Sequence, residues 1–164
     1  MSSWRWIPLV VLLGCTGKAR EPESEASPAV AKAATPGKPR FVAAGESGDV
    51  AQQVQQAVDA AGDPKKVVVY VGASWCGPCQ AFHEALERGE LDERLPGVEF
   101  LEFDADRDTE RLEAAGYGGR FIPRFALPGP KGRFGGEKVE GGIKGEGAVE
   151  HILARLLPLL AAAA

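Results

Sequence analysis

Three cysteines and two histidines in 164 residues leave few side chains with which to hold a transition metal. Tetrahedral zinc takes four ligands. The sequence offers one Cys-x-x-Cys pair, Cys76 and Cys79, with His83 close by, His151 far along the chain, and no second such pair. Positive charge is not in excess either: 19 Lys and Arg stand against 23 Asp and Glu, so no basic stripe marks a nucleic-acid binder. The apolar run near the start, residues 7–13, is far shorter than the roughly 20 residues a membrane-spanning helix needs. With 45% hydrophobic and 26% charged residues, the composition fits one globular domain with some extra length.

That extra length lies at the start. Residues 1–14 have one cation, Arg5, then the apolar run and a small residue, Gly14, before Cys15. This is the order of parts in a secretory signal. Leu12-Leu13-Gly14-Cys15 resembles the lipobox of bacterial lipoproteins. The resemblance implies cleavage before Cys15, lipidation of that cysteine, a membrane anchor and an extracytoplasmic location. It would leave the exported chain with two thiols and no orphan, in an oxidising compartment. From Thr16 to about Gly45 the chain is rich in Ala, Pro, Glu, Ser and Lys, with Phe41 its one aromatic. Such a stretch buries too little apolar surface to order itself, and it is expected to be a tether with a reach of roughly 30 Å. The domain proper is expected over 46–164.

Within that domain, Val50, Val54, Ala57, Val58 and Ala61 recur at helical spacing, closed by Gly62 and Pro64. Val67 to Val71 is a continuous apolar run, β-branched except at Tyr70, as in a strand covered on both faces. Cys79, Phe82, His83 and Leu86 share a helix face, a second strand runs through Val98 and Phe100, and a helix follows over 108–115. An apolar strand around Phe121 to Leu127, a Pro/Gly turn, a weaker strand near Lys138 and a closing helix through Leu160 complete the pattern, with Pro158 expected to fray the last turn. The order α-β-α-β-α-β-β-α predicts an α/β fold, a mixed central sheet with helices on both faces.

Cys76 falls at the turn from strand to helix, with Pro78 in the first turn, where its missing N–H costs nothing. As an N-cap, the Cys76 sulfur would face the N–H of Cys79 and the positive helix end, and both favour the thiolate. A thiolate is the attacking species in disulfide exchange. Three roles stay open on these residues alone: exchange, a metal-carrying module, and a structural bridge in an envelope protein. The ligand shortage weighs against the second. So short a loop constrains the unfolded chain little, which weighs against the third.

The motif Trp75-Cys76-Gly77-Pro78-Cys79, behind an apolar strand, resembles the active site of thioredoxins. Ile122-Pro123, 44 residues after Cys79 to the proline, stands where that family has an Ile-Pro with a cis proline facing the disulfide. Asp104 and Gly141 or Gly142 also have counterparts. The resemblance covers roughly residues 49–160 and points most closely to extracytoplasmic, membrane-tethered thioredoxin-like proteins. It implies a thioredoxin fold, a thiol–disulfide oxidoreductase, Cys76 as nucleophile and Cys79 as resolving thiol, with no cofactor. Expected partners are protein disulfides and an upstream electron donor such as a membrane thiol reductase, and the chain is expected to be a monomer. Gly77-Pro78 points to a reductant rather than an oxidase or isomerase.

Two departures stand out. The family's buried Asp, six residues before the first cysteine, is here Tyr70, and the proline that often kinks the active-site helix is Glu84. Tyr70 reads as core filling or as an acid. His83, four residues after Cys79, can share its helix face and relay a proton, or it is an ordinary helix residue. Trp75 reads as a rim aromatic for substrate. Arg124, next to Pro123, either biases substrate charge or is a solvated strand-end residue.

Overall fold

The computed structural model describes residues 37–162. The leader and Cys15 lie outside the described residues. The chain runs β1 (Arg40–Ala43), α1 (Val50–Ala61), β2 (Val67–Gly72), α2 (Gly77–Glu87), β3 (Glu99–Asp104), α3 (Thr109–Ala114), β4 (Arg124–Pro128), β5 (Phe134–Glu140) and α4 (Ala148–Ala162). The sheet order is β1-β3-β2-β4-β5. The first three strands are parallel, and β4 and β5 add antiparallel to that edge.

β2 is buried along its whole length, as its unbroken apolar run predicts. Its alternate residues serve two cores. Val68 and Tyr70 join Phe82 and Ala85 of α2 and Ile152, Leu153 and Leu156 of α4, while Val69 and Val71 join Val50 and Val54 of α1 and Leu112 of α3. Helix α1 has the predicted limits because Asp49 caps Gln52 N–H at 2.7 Å and Gly62 ends it at φ 68°.

Three expectations are corrected. The domain starts before residue 46: β1 lies inside the expected tether and pairs along β3, and Phe41 packs on Tyr70, Phe82 and Phe100. Four strand residues at the edge of a Pro- and Ala-rich stretch are lost in its average composition, while their ladder bonds come from a strand some 60 residues away. The fourth strand begins at Arg124 and not at Phe121, since the chain turns through a cis Ile122–Pro123 bond first. Pro158 does not end α4, which continues to Ala162.

Candidate redox site

The end of β2 delivers Cys76 to the start of α2. Cys76 is the N-cap, with extended backbone at φ −85° and ψ 106°, and its Sγ accepts the N–H of Cys79 at 3.3 Å. Cys76 and Cys79 are joined in a disulfide, their Cα atoms 5.2 Å apart, and both are buried at 5% and 3% exposure. When the bond is reduced, the same N–H and the helix N-terminus stabilise negative charge on Cys76 Sγ.

Pro78 and Pro123 converge on this corner. A Cβ at Gly142 would sit 2.9 Å from Pro78 Cβ and 3.5 Å from Pro123 Cδ, so only glycine lets the β5–α4 loop pass this close. Gly141 N–H donates to Pro123 O at 2.9 Å and holds the loop against the cis proline. Around the corner stand Trp75, Phe121 and Ile143, the large apolar side chains that remain exposed among the described residues, at 66%, 54% and 47%. Trp75 does not hang free: its Nε1–H donates to Asp106 Oδ2 at 2.7 Å.

Arg124 is neither substrate-facing nor solvated. It is buried, donating to Tyr117 O at 2.9 Å and to Glu140 Oε2 at 3.3 Å, with a longer bond to Phe121 O. It thereby pins the loop that carries Phe121 and Ile122. A charged residue followed by an apolar run reads as a strand end. Its burial depends on three carbonyl and carboxylate partners that the sequence does not bring together.

Behind Cys79 the surroundings change. A pocket of about 650 Å³ opens there, its wall including Tyr70, Cys79, His83, Glu84, Glu102 and Asp104. His83 lies with Nε2 2.8 Å from Glu102 Oε1. Its ring is stacked on Phe41, 3.7 Å between centroids at an interplanar angle of 3°. Tyr70 is fully buried, and its hydroxyl has no hydrogen-bond partner among the described residues. Burial, assisted by the charge of Glu102, raises the Tyr70 phenol well above its ordinary value. It is therefore neutral and cannot serve as a base. Glu84, at the position of the expected proline, leaves α2 one uninterrupted helix.

At the end of β3, Asp108 is fully buried and takes the N–H of Asp104 at 2.9 Å together with Arg107 and Arg111. Burial is the largest single influence on its carboxyl and opposes ionisation. It is outweighed by the bonds from Arg107 and the Asp104 N–H and by the two guanidinium charges, so the carboxyl is held below its usual range.

A family model described as Thioredoxin matches residues 48–154. The chain belongs to the thioredoxin family. Human thioredoxin is 48% identical over 52 residues, 32% of this chain and 47% of that protein. The F-type chloroplastic thioredoxin of Pisum sativum is 37% identical over 70 residues, 43% of this chain and 36% of its own length. The chain thus spans about half the length, or less, of the curated relatives it matches. Among solved structures it is similar to spinach chloroplast thioredoxin f in its short form, with 28% identity, TM-score 0.48, and coverage of 78% of this chain and 97% of that one. Fasciola hepatica thioredoxin gives 23%, TM-score 0.43, and coverage of 65% and 89%. Members of the family are thiol–disulfide oxidoreductases, and this thioredoxin-family chain carries the corresponding disulfide at Cys76–Cys79.

The Cys76–Cys79 pair at a strand-to-helix turn is legible in the sequence; its surroundings are less so. Glu102, Phe41 and Asp106 carry no motif. One signal for Glu102 was available: it alternates with Phe100 along β3 and so falls on a core-facing row, an odd place for an acid.

Proposed function

We propose that this thioredoxin-family chain reduces disulfides in exported proteins, attacking through Cys76 and resolving through Cys79. The observation that carries the reading is the capped Cys76. Its sulfur lies on the Cys79 N–H at a helix N-terminus, and Trp75 beside it in the chain, together with Phe121 and Ile143 flanking the Pro123 and Gly142 segments, are exposed apolar side chains. An apolar rim gives a protein substrate area to bury while its disulfide is in reach. Arg124, by fixing the Phe121 loop, shapes that rim.

The direction of electron flow rests on Gly77-Pro78 of the motif. It supports a potential nearer the roughly −270 mV of thioredoxin than the roughly −120 mV of a strong periplasmic oxidant. Such a reductant in an oxidising compartment needs an upstream dithiol donor, and a membrane thiol reductase has the right chemistry. The location is supported by the lipobox-like Leu12-Leu13-Gly14-Cys15, with residues from Thr16 to the start of β1 as the tether.

The test is trapping on a Cys79→Ala variant expressed with its leader, together with the equilibrium potential of the wild-type dithiol. The expected result is stable mixed disulfides with exported proteins and a potential below about −220 mV. A value near the oxidant end, or trapped partners that are all cytosolic, overturns the reading.

A further inference from the structure

We infer that the His83–Glu102 pair accepts the proton that Cys79 must lose before it can attack, a step that rests on the exchange chemistry proposed above. A resolving thiol is a poor nucleophile until ionised, and Cys79 is buried. Cys79, His83 and Glu102 all line the pocket behind it. His83 follows Cys79 by one helical turn, so the two side chains share a face of α2. The carboxylate of Glu102 can only accept, so the His83 Nε2 beside it carries the hydrogen and Nδ1 keeps its lone pair. Stacking on Phe41 fixes the ring plane. A buried nucleophile, an imidazole with one nitrogen committed to a carboxylate, and an open cavity lined by both form the relay, with water in the cavity carrying the proton between Sγ and Nδ1.

The neighbours fit this role. From α2, Glu84 and Glu87 line the same cavity; from β3, Asp104 joins Glu102; from β2 there is Tyr70; and from the flanking loops come Glu46 and Arg107. A proton arriving on the ring therefore meets five carboxylates and one guanidinium. Imidazole is the one ordinary side chain that changes charge near neutrality, and Tyr70, held neutral by burial, does not compete as acceptor.

The step balances as follows. Cys79 Sγ–H gives its proton to Nδ1 through the water, and the thiolate attacks Cys76 Sγ of the mixed disulfide. The Cys76–substrate S–S bond breaks, the Cys76–Cys79 bond forms, and the substrate sulfur leaves as a thiolate carrying the electron pair. That thiolate takes its proton from solvent, and the imidazolium returns its own to solvent through the pocket mouth.

The experiment is stopped-flow reaction of the reduced full-length chain, carrying Cys15→Ser so that only Cys76 and Cys79 react, with dithiobis(nitrobenzoate). The first nitrothiolate released reports attack by Cys76, and the second reports resolution by Cys79. His83→Gln keeps a planar polar side chain that cannot take up a proton, so it serves beside His83→Ala. Both variants are expected to slow the second release at least about tenfold near pH 7, to leave the first within twofold, and to approach wild type near pH 9. Glu102→Gln is expected to slow the second release by a smaller factor. Unchanged resolution in both His83 variants across pH 6 to 8 overturns the inference. Slowing of the two releases together, or loss in His83→Ala with normal resolution in His83→Gln, also overturns it, because either marks a packing effect. If wild type itself releases no second nitrothiolate, the exchange reading fails instead.

Discussion

The two sides of the Cys76–Cys79 disulfide are built differently. On the open side Trp75, Phe121 and Ile143 stand around Pro78, Pro123 and Gly142, an apolar rim held from below by Arg124. On the inner side Tyr70, His83 and Glu102 line a polar pocket that reaches Cys79. The open side is assembled from two short stretches, Trp75 to Cys79 and Ile122-Pro123. The inner side is assembled from separate elements, its polar groups coming from two strands, β2 and β3, and from α2. The difference teaches that the surroundings of Cys76 are a local matter of cap and turn, whereas those of Cys79 depend on strand register.

The comparison can be broken first at the β3 end, which supports both sides: Asp104 lines the pocket and Asp106 holds Trp75. Asp108→Asn leaves Arg107 and Arg111 without their shared carboxylate and is expected to cost about 2 kcal/mol, tempered by the partial exposure of Arg107. The Asp108 carboxyl is depressed in the folded chain, so its contribution is complete above the unfolded value near 4 and is lost as pH falls through the lower folded value. Urea midpoints of wild type and variant should therefore differ most near neutrality and converge in acid. A gap that stays constant down to about pH 2 contradicts the assignment.

A smaller effect sharpens the open side. Trp75→Ala removes the most exposed part of the rim and is expected to lower the rate with a protein disulfide about threefold to tenfold, roughly 1 kcal/mol. Reaction with a small aromatic disulfide should be unchanged. Equal losses on both substrates would mean that Trp75 positions Cys76 and does not hold substrate.

The smallest effect belongs to the inner wall. The Tyr70 hydroxyl is buried without a partner among the described residues, so Tyr70→Phe removes a desolvated group and is expected to shift stability by no more than about 1 kcal/mol, toward greater stability. Thermal unfolding monitored by circular dichroism reads this directly. A marked loss would reveal a water bonded to the hydroxyl in the pocket.

Much of the fold is legible along the chain because its elements announce themselves locally. The 3.6-residue recurrence from Val50, the β-branched run of β2, and the cap-and-proline start of α2 each need only their own residues. β1 escapes for the opposite reason: Arg40 to Ala43 becomes a strand because β3 offers an open edge and Phe41 a place among Tyr70, Phe82 and Phe100. Arg124 is misjudged in the same way, as its partners at Tyr117, Phe121 and Glu140 converge only after β4 and β5 pair.

By itself the sequence determined the cap: two cysteines at a strand-to-helix turn, with a proline in the first turn, place one sulfur on a backbone N–H. Tertiary structure alone decided what stands behind the second sulfur. Parallel register sets Tyr70 beside Glu102, α2 lies across that face and lowers His83 onto the carboxylate, and Phe41 arrives from β1 to hold the ring. A strand register shifted by one residue would turn Glu102 to the opposite face of the sheet, and nothing within the motif would register the change.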